Sequence, residues 1–263
     1  MKIRVREYLR DRLSEAQRKR LVDGVNRISG NWLNRVLYGR VRYNEDGLAS
    51  VHNAEFMQDP RFHRAYTKGA ATGSWSGDVH WRAHVYCWAA ARGMLVDGDF
   101  VECGVNRGGY ASTAMDYVDF GESDKRFFLL DTFEDLPEHQ ISAIERQRGI
   151  RRGGYAPSHA AVVQTFATYG ARAVVVKGVV PESLDQISSE RIAFLSLDMN
   201  LREPEIAAAE RLWPRLVSGA TMLLDDYGWR RHEEQKQAFD EFAARHRVPL
   251  LALPTGQALI IKI

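Results

Sequence analysis

The sequence predicts an α/β protein: a doubly wound, mostly parallel seven-stranded sheet that ends in an antiparallel hairpin and follows a helical N-terminal extension. Three observations carry this expectation. From Asp99 onward, short runs rich in Val, Ile, Leu and Phe alternate with helical stretches. Each run has the length of a buried strand and lacks in/out alternation, the pattern of a parallel sheet covered by helices on both faces. The last two runs are separated only by Pro254-Thr255-Gly256, a tight turn that makes antiparallel neighbours.

The chain has 263 residues, 45% hydrophobic and 27% charged, enough apolar material for one large domain with an elaborated end. Lys and Arg number 36 against 34 Asp and Glu, a formal charge of +2. That balance excludes a protein that coats nucleic acid. Two cysteines, Cys87 and Cys103, exclude a disulfide framework and suit a reducing, cytoplasmic setting. No apolar run approaches the roughly 18 residues of a membrane span, and the first residues lack a secretory signal.

The elements follow in order. Up to Arg42 basic residues outnumber acidic ones. Ser14-Glu15-Ala16-Gln17 reads as a capping box that opens a helix. Residues 1–77 are therefore read as a helical extension and possible lid, packed on the main domain or on a second subunit of a homodimer, and residues 78–263 as the main domain. Attachment to an anionic membrane surface is a weaker reading, because bulky interfacial anchors are few. Trp75, in Gly73-Ser74-Trp75-Ser76-Gly77, is a candidate to close over a ligand. Asp78 is expected to cap the next helix, on which His80 and His84 are spaced as a zinc pair would be. No third soft ligand accompanies them, so packing or contact with a cofactor is the better reading. Trp81 and Trp88, seven apart, are expected to face the core.

The expected strands are Phe100–Cys103, Phe127–Leu130, Ala173–Val176, Ile192–Leu197, Thr221–Leu224, Pro249–Leu253 and Ala258–Ile263. The helices between them are Tyr110–Val118, His159–Tyr169, Pro204–Trp213 and Arg231–His246. Pro204 suits a first helical turn and Pro214 ends that helix. Cys103 reads as a small buried residue.

Ligands of such sheets bind at the carboxyl ends of the strands. The first of these strands runs into Glu102-Cys103-Gly104-Val105-Asn106-Arg107-Gly108-Gly109. Its glycines permit close approach, and the next helix offers free amides. The spacing is not that of dinucleotide folds, and no phosphate-binding Lys-Ser/Thr follows. The second ends in Asp131-Thr132, where an acid commonly takes ribose hydroxyls. A nucleoside cofactor without a gripped pyrophosphate fits both, and S-adenosylmethionine is one. The fourth runs into Asp198 and the fifth into Asp225-Asp226-Tyr227-Gly228. Converging carboxylates need compensation, and Mg2+ accepts an all-oxygen shell. The competing reading has these acids cap helices or pair with Arg230 and Arg231.

Residues 99–109, Asp131-Thr132-Phe133-Glu134-Asp135-Leu136-Pro137, Asp198 and Asp225-Asp226-Tyr227-Gly228 resemble the TylF-type (macrocin) sugar O-methyltransferases. The similarity runs from about Trp81 onward and leaves the first fifty residues outside. It implies a class I methyltransferase fold, S-adenosylmethionine, Mg2+ and a hydroxyl acceptor on a sugar or other glycan. By motif match it places Glu102, Gly104 and Asp131 at the cofactor, together with Asn106, Gly108 and Thr132 of the same turns and Asp198. Lys177-Gly178 falls on the adenine side, and Asp198, Asp225 and Asp226 fall on the metal ligands. One position departs. Where the family carries a second Asp that resembles a general base, this chain has Asn200, an amide that cannot take the proton. His232 is the nearest substitute: with Gln235, Phe239, Phe242 and His246 it forms one helical stripe whose phenylalanines must face the core. A helix-capping or substrate-positioning histidine competes with that reading, and a metal-bound hydroxyl that loses its proton to water would need no protein base. Two rival functions remain, a metal-dependent methyltransferase of catechol-like phenols and a non-catalytic cofactor-binding subunit of a glycan-assembly complex.

Overall fold

The structure, a computed structural model, describes residues 41–263. The capping-box helix expected near Ser14 lies outside the described residues. The chain divides into two units, residues 1–55 and 56–263. The described part of the first is an antiparallel hairpin of β1 (Tyr43–Glu45) and β2 (Leu48–Ser50), with Tyr43 opposite Ser50. Asp46 and Gly47 turn it with φ of 54° and 73°, the left-handed pair that a two-residue hairpin requires. Over residues 43–50 this corrects the helical reading of 1–77.

The second unit opens before the boundary expected at 78. Its helix α1 (Pro60–Ala70) starts where the Asp59 side chain accepts the amides of Arg61 and Phe62, with Pro60 at the first position; both features favour a helix start. Phe62, Ala65, Tyr66 and Gly69 face inward. Helix α2 (His80–Met94) begins after Val79. Asp78 is not its side-chain cap; it accepts the Tyr66 hydroxyl at 3.3 Å. His84 stacks on Phe56 and His80 on Tyr66, which bears out their packing role. Trp88 differs from expectation: it is 45% exposed, with Arg92 over its ring.

Next come β3 (Asp99–Cys103), α3 (Gly109–Tyr117), β4 (Phe127–Asp131), α4 (Ala143–Gln147), α5 (His159–Phe166), β5 (Ala173–Lys177), β6 (Ile192–Leu197), α6 (Arg202–Leu212), β7 (Leu216–Leu224), α7 (Glu233–His246), β8 (Leu250–Ala252) and β9 (Ala258–Ile261). The sheet order is β5-β4-β3-β6-β7-β9-β8. All pairs are parallel except β7–β9 and β8–β9. Both sheet faces are buried, as the unalternating runs require. Phe100, Leu129, Phe194 and Leu223 pack with Ala83, Tyr86 and Met115 of α2 and α3. Val101, Leu195, Met222 and Leu224 pack with Leu212, Phe239 and Phe242 of α6 and α7.

Helix α1 clasps α3. A Cβ on Gly69 would lie 1.9 Å from the Thr113 hydroxyl oxygen and 2.5 Å from the Gly109 carbonyl oxygen, so only glycine permits this approach. Arg64 and Lys68 then reach Asp116 at 2.8 and 3.3 Å. Among the described residues no helix is long and apolar enough to cross a membrane.

Candidate active site

Sheet register brings the site together. Cys103 is level with Leu130 on one side and Leu197 on the other, and Leu197 is level with Leu224. The residues one step further, Asp131, Gly104, Asp198 and Asp225, therefore stand in a row across neighbouring strand ends, about 4.8 Å apart from strand to strand. The order of strands reverses at β3 and β6, the place where ligands bind in open α/β sheets.

Gly104 is required there twice over. Its φ is +95°, and a Cβ would stand 1.9 Å from the Asp198 carbonyl oxygen. Asn106 follows with φ 53°, a left-handed conformation that Asn tolerates. The turn is held from below: Asp131 accepts the amides of Val105 and Asn106 on Oδ2 and that of Phe133 on Oδ1, each at 2.7 Å. Burial pushes the Asp131 carboxyl up, and these bonds pull it back. Ser74 covers the turn from above, accepting the Gly109 amide on Oγ at 2.9 Å and the Asn106 side-chain amide on its carbonyl at 3.3 Å. Trp75 packs between Tyr66 and Tyr110 beside the α3 N-terminus.

A cleft of about 730 Å³, counting its open mouth, lies beside this turn. Gly104, Asn106, Asp131, Thr132, Gly178, Asp198 and Asn200 line it, with Tyr155 opposite. Three residues read from the sequence as cofactor positions do not. The Lys177 amine is held by Glu134 at 2.7 Å on the surface. Gly108, with φ +84°, serves packing: a Cβ would strike the Phe166 ring. Glu102 is buried in β3, and its Oε2 has no hydrogen-bond partner among the described residues. Burial raises its pKa well above the usual range, and the Tyr86 hydroxyl opposes that shift. An orphaned buried acid beside the glycine turn fits the ammonium of an amino-acid cofactor.

Asp198, Asp225 and Asp226 converge as expected: each offers an oxygen, and these atoms lie within 4.8 Å of one another. Burial, followed by the charges of Asp225 and Asp226, drives the Asp198 carboxyl well up. Burial also raises Asp226, with His232 acting against it. An all-carboxylate set that repels itself fits a hard divalent cation. The counter-charge present is Arg82, not Arg230 or Arg231. From α2 its Nη1 donates to Asp225 Oδ2 at 2.6 Å, with Trp229 beneath the guanidinium. Gln257, fully buried in the β8–β9 turn, donates to Asp225 Oδ1 at 2.8 Å.

His232 stands at the N-cap of α7, not within it. The stripe turns inward as read: Gln235, Phe239 and Phe242 are buried. His232 Nδ1 lies 3.9 Å from Asp226 Oδ2 and is hydrogen-bonded to Gln235 Oε1. Asn200 sits in the cleft with φ 61°. Glu205 of α6 is buried behind the acids, accepting the Met199 amide at 2.9 Å. Sequence reading did not single out Arg82, Gln235, Gln257 or Glu205. Only for Gln235 was there a signal, its place on the inward stripe.

This strand order, with its glycine turn and strand-end acids, is that of the class I O-methyltransferases. The O-methyltransferase NovP superposes with a TM-score of 0.59 at 22% identity, over 69% of this chain and 79% of that one. The calicheamicin methyltransferase CalS11 gives 0.58 at 17% identity, over 80% and 94%. The macrocin-O-methyltransferase (TylF) family profile matches residues 43–252, and the chain belongs to that family. The match begins well before Trp81, where the motifs alone had placed its start. A curated relative, 8-demethyl-8-(2,3-dimethoxy-alpha-L-rhamnosyl)-tetracenomycin-C 4'-O-methyltransferase of Streptomyces olivaceus, is 32% identical over 151 residues. That match covers 54% of this chain and 58% of the relative.

Proposed function

We propose that the protein methylates a hydroxyl of a sugar or glycosylated small molecule, using S-adenosylmethionine and Mg2+. The observation that carries this reading is the convergence of three carboxylates, Asp198, Asp225 and Asp226, of which Asp198 lines the cleft beside the Gly104 turn. When bound, S-adenosylmethionine supplies the electrophilic methyl group, and Mg2+ supplies a Lewis acid for the acceptor oxygen. Gly104 lets the cofactor approach the sheet, and Asp131 holds the turn and faces the ribose side. Glu102 meets the amino group. Asp198, Asp225 and Asp226 would hold the metal, which would supply charge stabilisation at the acceptor hydroxyl. His232 takes the acceptor proton in place of the carboxylate that Asn200 replaces. Family membership and the sugar-directed relative support the acceptor class.

Asn200 favours a second reading, transfer to a catechol-like phenol, whose lower pKa depends less on a carboxylate base. The test supplies deoxysugar glycosides and polyphenols in parallel, with cofactor and with or without a chelator. The expected result is a mass gain of one methylene on a glycoside, abolished by the chelator. Methylation confined to polyphenols would select the second reading, and transfer unaffected by chelation would remove the metal.

A further inference from the structure

Tyr155 is the only aromatic side chain among the described residues that line the cleft, and its loop is fixed to the site on both sides. Before it, Asp135 accepts the Gly153 amide, at a φ of 102° that favours glycine. After it, the Ser158 amide donates to the Phe133 carbonyl at 3.1 Å. The Ser158 hydroxyl donates to the Asn106 carbonyl, in the glycine turn itself, at 2.8 Å. The ring is half-buried, and its hydroxyl has no hydrogen-bond partner among the described residues. Burial raises the phenol above its ordinary value, so it stays neutral. The carboxylates of Asp198, Asp226 and Asp131 act on it next, which places the hydroxyl where the Asp131 side of the cleft meets the acids of β6 and β7.

We propose that Tyr155 is a cofactor-binding residue whose ring meets the sulfonium of S-adenosylmethionine and lets the cleft tell the cofactor from its product. This rests on the reading of the cleft as the cofactor site. On that reading the ribose lies by Asp131 and the amino-acid part by Gly104 and Glu102, and the sulfur joins the two. The sulfur therefore belongs beside Gly104, in the strand-end row between Asp131 and Asp198, and Tyr155 is the ring that borders the same space. The face of a phenol ring is electron-rich and attracts a cation, more strongly where water is excluded. Once the methyl group has passed to the acceptor oxygen, the sulfur keeps the electron pair of the broken bond. It is then a neutral thioether, and the attraction lapses.

Calorimetry on the full chain with S-adenosylmethionine and with S-adenosylhomocysteine, in the absence of an acceptor, reads this apart from turnover. Tyr155→Leu should lose about 2- to 30-fold in affinity for the sulfonium form and little for the thioether. Tyr155→Phe keeps the ring and should keep the wild-type ratio of the two affinities. Cofactor labelled with carbon-13 in its methyl group reads the contact directly by NMR. In the wild type the methyl protons should show an Overhauser contact to one tyrosine ring, and in Tyr155→Phe that contact should pass to a phenylalanine ring. This measurement needs only those two proteins, so it decides the matter if Tyr155→Leu does not fold. A ratio unchanged in folded Tyr155→Leu, or a methyl group without contact to residue 155, overturns the proposal and leaves the cofactor site standing. A wild type that binds neither molecule overturns both.

Discussion

Asp131 shows how a residue can be placed correctly and do more than its position suggests. Its carboxylate accepts three backbone amides of the turns around it. Asp131→Ala therefore orphans buried donors, each worth about 1–3 kcal/mol. The expected outcome is a lower melting temperature and faster hydrogen exchange at Val105 and Asn106, with cofactor affinity lost as a consequence; protected amides in the variant would refute this. Glu102 and Glu205 make a second prediction. Burial raises both above the ordinary carboxylate range, so the folded protein keeps protons that the unfolded chain, with Glu near 4.3, has already lost. Where the native state binds more protons, stability falls with rising pH. The loss should begin near pH 4 and continue until these groups ionise in the folded state. Glu205→Gln should flatten that slope in melts taken across the range, and an unchanged slope would exclude Glu205 as a contributor. Residues of this kind are hard to read from sequence because their partners are remote. Arg82 and Asp225 are separated by 143 positions, and no spacing rule connects them. The acids at the strand ends were legible because parallel strands all deliver their carboxyl ends to one edge.

Among the elements, most strands of the sheet were legible to within a residue or two, β7 being the exception, since it begins at Leu216 and not at Thr221. Strands buried on both faces are continuous apolar runs, and Ile192–Leu197 matches its reading at both ends. The hairpin over residues 43–50 escaped because only Tyr43 among its strand residues is buried, which leaves no pattern except Asp46-Gly47. Helix α1 did carry a signal, Asp59 before Pro60 and an inward Phe62, Ala65, Tyr66 and Gly69, within an extension for which no helix bounds had been read there. Its contact with α3 is open to test. Gly69→Ala places a methyl group within 1.9 Å of the Thr113 hydroxyl oxygen, and overpacking of this sort costs about 1–3 kcal/mol. A melting temperature lower by roughly 2–12 °C is expected, taking about 2–4 °C per kcal/mol. Gly69→Ala combined with Thr113→Ala should recover only the part due to the hydroxyl, because the Gly109 carbonyl oxygen stays 2.5 Å from the new Cβ; an unaltered melt for the single variant would show that α1 sits away from α3.

At the scale of the molecule, the acidic centre joins parts of the chain that share no local sequence: α2 through Arg82, β6 through Asp198, β7 through Asp225 and Asp226, and the β8–β9 turn through Gln257. A cation bound there should stabilise the whole fold, by about 2.7 kcal/mol at a hundredfold excess over its dissociation constant. Melting temperature should therefore climb with Mg2+ in the wild type and climb less in Asp225→Asn; equal shifts would remove Asp225 from the ligand set. The place of β9 in the sheet adds a matter of timing. It lies between β7 and β8 although it follows both in the chain. A nascent chain that has just delivered β8 to solvent has no seat for it, and β7 stands as an open edge, a template for unwanted pairing. Only when residues 257–261 have left the ribosome can β9 close that edge and Gln257 reach Asp225. Until then the protein being translated is both unfinished as an enzyme and at its most adhesive.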